Sequence, residues 1–255
     1  MIQLSGLQLP TLGAMFQSHA AEQRTGGDMD FVEEQGMSVV ANGHFNPTIF
    51  QPAWLRREGI ITAAEEEAAV IGIIHPEITR FEVPGLSFDV QTERCSITAM
   101  AEPFIRAADV FYVTLHEKLG HTPITSVGLN YFAHVRLNDW KQRMKFGRLI
   151  APIEPWGEYG ALLNSSESSK AGGVSTLSMR AILSDYGKEG GINVSVQPSA
   201  RVSDQAGVFF NVNHHLAEGA GGDDPLTATL YKRFDDLLAH SRSIIDDMTK
   251  RARSL

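Results

Sequence analysis

The chain has 255 residues, 43% hydrophobic and 20% charged, enough for one large core or two modest ones. A formal net charge of −8 argues against bulk attraction to phosphate backbones or anionic lipid, and near-average glycine and proline usage argues against a collagen-like or disordered chain. The single cysteine, Cys95, leaves no internal disulfide, and no run nears the roughly 18 apolar residues that span a bilayer.

The opening segment has no basic stretch ahead of an apolar one, so the expectation is a soluble, cytoplasmic protein with no membrane contact. Residues 1–36, rich in Gly, Gln and Asp without periodicity, read as an N-terminal extension. Ordered pattern begins at residue 37, with a strand ending near Phe45 and a break at Asn46-Pro47. A short helix carrying Phe50, Trp54 and Leu55 follows and stops at Gly59. Strands are expected over 69–75, 78–83, 86–90 and 96–100, with turns at Pro76 and Pro84-Gly85. Cys95 falls on the same side as Ile97 and Ala99, which predicts a buried structural thiol. From Pro103 the period changes: Phe104, Ala108, Phe111, Leu115 and Leu119 recur at helical spacing until Gly120.

The pattern then restarts. Residues 125–137 alternate as a strand, with Val127, Leu129, Tyr131, Ala133 and Val135 on one side, and a helix over 139–150 follows. Strands are expected over 175–183, 191–202 and 207–216, then one long helix from Pro225 to about Arg253. Both halves read strand, short helix, several strands, long helix. SVVAN (38–42) matches SVGLN (126–130), and a tryptophan helix ending in Gly59-Ile60-Ile61 echoes one ending in Gly147-Arg148-Leu149-Ile150. The expected fold is therefore α+β: internally duplicated β-α-β-β-β-α units forming a largely antiparallel sheet with helices on one face. The units run 37–124 and 125–255, joined edge to edge in the manner of saddle-shaped proteins of the TATA-binding type, an analogy of topology alone.

Several stretches look chemical. VFFNVNHHLAEGAGGDDP (208–225) pairs two histidines with a glycine loop and two aspartates. On a strand, side chains alternate: Val208, Phe210, Val212 and His214 point one way, Phe209, Asn211, Asn213 and His215 the other, so adjacent histidines cannot hold one ion together. Asp224-Pro225 reads as a helix start, with aspartate as N-cap and proline at the first helical position. LHEKLGH misses the zinc-protease helix because its second histidine, His121, lies five residues from His116, and Gly120 intervenes. Lys141, Lys145 and Arg148, with Arg143 nearby, make the best basic patch, a solvated helix face or an acidic-partner or nucleic-acid contact. Lys250, Arg251 and Arg253 complement a helix C-terminus, and Glu65-Glu66-Glu67 reads as a solvated run. Trp54 and Trp140 read as packing residues. Tyr131, His134, Asn211, Asn213 and His215 form a candidate binding surface on one exposed sheet face. No Walker, C-x-x-C, G-x-S-x-G or G-x-G-x-x-G motif is present.

FNPTIFQPAWL (45–55), SVGLNY (126–131) and GVFFNVNHHL before a long terminal helix resemble a sporadically distributed family of uncharacterised bacterial proteins of about this length. The resemblance implies a shared architecture over residues 37–250 and the patchy distribution typical of mobile or phage-defence genes. Asn130 stands where that family tends to have arginine, and Asn211 and Asn213 stand where its late strand is often acidic.

The reading is a non-enzymatic binding or assembly module, with no cofactor or metal and a protein partner or self-association. A nucleic-acid-linked accessory role through Lys141, Lys145 and Arg148 is the alternative, and a metal-dependent hydrolase ranks third.

Overall fold

A computed structural model describes residues 31–163 and 173–255. Its centre is a nine-stranded sheet in the order β2-β3-β4-β5-β1-β6-β9-β8-β7, antiparallel at every pairing. The strands are β1 (Val32–Gly43), β2 (Val70–His75), β3 (Ile78–Val83), β4 (Leu86–Gln91), β5 (Arg94–Ala99), β6 (Ile124–Arg136), β7 (Leu177–Ile182), β8 (Gly191–Pro198) and β9 (Gly207–Ala217). The helices are α1 (Pro52–Arg57), α2 (Ala63–Glu67), α3 (Ile105–Tyr112), α4 (Trp140–Ile150), α5 (Gly157–Leu163), α6 (Leu226–Lys232) and α7 (Phe234–Arg253). This is the expected α+β class.

The two halves meet as neighbouring strands. Ser38 pairs with Asn130, Val40 with Gly128 and Asn42 with Ser126. The matching segments SVVAN and SVGLN thus lie against each other in the register that a local two-fold through Val40 and Gly128 would produce.

Alternation sorts the side chains. Met37, Val39 and Ala41 of β1, Leu129, Tyr131 and Ala133 of β6, and Phe210 and Val212 of β9 are almost fully buried beneath α3, α6 and α7. Cys95, Ile97 and Ala99 share that face, and burial pushes the Cys95 thiol up to about 12. The opposite face of these strands carries Ser, Asn and His side chains together with Phe132 and Phe209, and on β3 and β4 Arg80 pairs with Asp89 at 2.6 Å.

Five local readings are corrected. β1 starts at Val32, inside the supposed extension, because polar Glu34 and Gln35 hide the alternation yet pair with His134 and Ala133. The terminal helix is two helices, since the chain breaks out of α geometry at Arg233. Pro225 is itself the extended cap of α6, and Asp224 instead pairs with Lys232 at 2.6 Å. Gly59, at φ +74, ends α1, whereas Gly147 lies inside α4, so that part of the echo between halves fails. Glu65, read as part of a solvated run, closes a capping box with Thr62 and pairs with Arg106.

Candidate functional site

At the centre of the open face lies a depression of about 230 Å³ lined by Val40, Asn42, Arg94, Gly128, Asn130, Asn213 and His215. Its cause is local. Gly128 has no side chain and Val40 a short one, and the two sit opposite each other in the register of β1 and β6. Their taller neighbours on β5, β1, β6 and β9 become walls. The floor tolerates little change: a Cβ on Gly128 would stand 3.0 Å from the His214 carbonyl oxygen.

The walls are chemically mixed but not nucleophilic. Asn42 Nδ2 donates to Ser126 Oγ at 2.9 Å. Arg94 is exposed and forms no ion pair among the described residues. The Asn213 carbonyl Oδ1 is buried without a hydrogen-bond partner among the described residues. An orphaned acceptor of this kind costs about 1–3 kcal/mol. His215 has its pKa lowered by burial first and by the Arg180 charge second, so near neutral pH it offers one donor and one acceptor.

The expected site residues divide. Asn211, Asn213 and His215 share the open face with His134, as alternation requires. Only Asn213 and His215 line the depression. His134 stands opposite Phe209, three same-face positions from the Gly128–His215 pair, or roughly 20 Å along the strand. Its Nδ1 lies 2.8 Å from Ser199 Oγ and its ring packs on Phe209, with burial lowering its pKa. Asn211 faces Phe132 between these two groups. Tyr131 does not belong to this surface: it is 1% exposed on the helix-covered side and its hydroxyl donates to Gln35 Oε1 at 2.5 Å. Its place follows from the alternation that groups it with Leu129 and Ala133.

Asn42, Arg94 and Asn130 were not among the expected site residues. Asn42 and Asn130 end the two matching segments, and Asn130 also stands where the resembled family tends to have arginine. Arg94 becomes their neighbour only because β5 pairs with β1, with Asn42 opposite Arg94.

A second polar cluster lies on the covered face. His214 Nδ1 is 2.8 Å from the Tyr186 hydroxyl and Nε2 is 3.0 Å from Ser241 Oγ, which donates to the Leu237 carbonyl at 2.9 Å. The Ser241 proton is thereby used, so Nε2–H donates to Oγ and Nδ1 accepts from Tyr186. The chain resembles a serine activated by a base, but His214 and Ser241 are 0% exposed and no substrate reaches them. Burial, then the charges of His240 and Arg233, hold the His214 pKa down at about 4. This cluster satisfies buried polar groups and locks α7 to β9.

The remaining chemical-looking residues are dispersed. His116 stacks on Tyr112, in a π-helical turn over Val113–Lys118, with Nδ1 3.2 Å from Thr227 Oγ1. Lys141, Lys145 and Arg148 are exposed on α4, where Lys145 Nζ donates to the Leu255 carbonyl at 2.9 Å and Lys141 lies 5.9 Å from the Trp140 ring centre. Among the described residues no three His, Cys, Asp or Glu side chains converge to hold a metal ion. In comparison with known proteins, the chain matches no family model and no curated sequence.

Proposed function

We propose that the protein is a non-enzymatic binding module whose open sheet face receives a polar partner at the Asn42–Arg94–Asn130–Asn213–His215 depression. The orphaned Asn213 Oδ1 carries this reading, because a buried acceptor retained at a cost to stability is completed by a donor from elsewhere. Arg94 asks the opposite of the same partner, an acceptor and preferably an anionic one. The partner therefore presents a hydroxyl or amine donor beside a negative group. The walls supply amides, a guanidinium and a neutral imidazole, which recognise rather than react.

A duplicated origin of the two halves is part of the same proposal, in which the pairing of SVVAN with SVGLN puts Asn42 and Asn130 on opposite sides of one local two-fold. The family resemblance, and with it a place in a mobile or phage-defence system, belongs to the same proposal. The α4 cations favour the nucleic-acid alternative less, because the chain is acidic overall and Lys145 is engaged at the C-terminus.

The test is native mass spectrometry of the protein purified gently from its own host, beside the Asn213→Ala/His215→Ala double variant. A bound molecule or chain present on the wild type and absent from the folded variant supports the site. Equal retention on both sinks it.

A further inference from the structure

A second hollow lies on the helix-covered side, apart from the open-face site. A cavity of about 300 Å³ lies between α4, α5, β8 and the start of β7, lined mainly by apolar groups including Met144, Phe146, Ile150, Trp156, Val196 and Val208. It falls at the lower end of the range for small-molecule sites. Two of its lining aromatics stay exposed: Trp156 is 60% exposed and Tyr159 57%.

Charge distinguishes this cavity from a mere packing defect. Among the described residues its lining contains no carboxylate and two arginines, Arg143 and Arg148. Arg143 has an interaction of its own, whereas Arg148 is exposed and forms no ion pair among the described residues. Apolar walls with the Arg148 guanidinium, unpaired among the described residues, complement a molecule with an apolar body and a single anionic head.

We propose that this cavity is a binding site for a free amphipathic monoanion of medium-chain acyl size, its chain against Phe146, Val196 and Val208 and its head group at Arg148. Gly147 lines the cavity from within α4, and a Cβ there would only reach ordinary contact with the Val174 side chain at 3.6 Å. Gly147→Leu therefore fills the cavity while improving helix propensity, which keeps the fold intact.

The experiment is calorimetric titration of the full-length protein with decanoate below its micellar concentration, with decanol and anionic phospholipid vesicles as parallel arms. The expected result is saturable one-to-one decanoate binding, weakened tenfold or more by Gly147→Leu. Arg148→Gln is expected to weaken decanoate about fivefold, the scale of an exposed ion pair, and to leave decanol unchanged. Absence of saturable decanoate binding overturns the proposal, as does binding that Gly147→Leu leaves intact. Binding to vesicles without binding to free decanoate also overturns it, assigning the apolar rim to a membrane surface. Since the open face takes no part, loss here leaves the Asn213 site standing, and the converse holds.

Discussion

His214 and His215 are neighbours in sequence and share one strand, yet they belong to different regions of the molecule. On the covered face His214 is fully buried, both ring nitrogens are satisfied, and its function ends with the fold. On the open face His215 borders a depression in which an amide oxygen has no partner among the described residues. Thr114 Oγ1 and Thr249 Oγ1 in the helical layer also lack partners among the described residues, and Asn213 Oδ1 differs from them in lining an open depression. In this sheet, the face that builds the core and the face proposed for recognition are separated by one residue of strand register.

The sharpest way to break this contrast is to truncate one side chain on each face. Phe210→Ala, which empties a fully buried site beneath the helices, should destabilise by about 3–5 kcal/mol, and Asn211→Ala, its open-face neighbour, by less than about 0.5 kcal/mol. Urea unfolding of the two variants measures both; comparable losses would remove the distinction between faces.

Acid separates the faces next. Because the folded-state pKa of His214 is held near 4, below the ordinary value of 6.5, the unfolded chain takes up its proton first as pH falls. Stability is then full above about pH 6.5, declines between 6.5 and 4, and loses about 3 kcal/mol through this residue. His134 and His215, also lowered, act in the same sense. In His214→Gln the slope over that window should flatten, read from urea midpoints at successive pH values.

Asn213→Val should reverse the usual direction. Removing the orphaned acceptor and placing a β-branched residue on a strand should stabilise by about 1 kcal/mol while abolishing partner retention. A destabilised variant would mean that the amide is satisfied within the fold. The smallest effect concerns Cys95, whose thiol pKa is raised by burial on the covered face. It should resist alkylation in the native protein and react only at the rate of unfolding, followed by mass.

Much of this organisation was legible in the sequence. Period-two and period-3.6 patterns placed the strands and principal helices, because each element must bury one face, and the same alternation set His214 apart from His215. It failed where polar residues occupy a paired strand, as at Glu34 and Gln35, and where a helix breaks without glycine or proline, as at Arg233. Tyr131 was misassigned by treating an aromatic as a surface group, although its own strand pattern put it with Leu129 and Ala133.

The depression required the tertiary structure. Sequence by itself determined the α+β class, the faces of the strands and the likeness of SVVAN to SVGLN. It could not place Arg94 beside Asn42, or both near Asn213, since strand order and register arise from pairing between segments far apart in the chain. Nor could it show a hollow, which exists only because Val40 and Gly128 meet across β1 and β6 while longer side chains surround them.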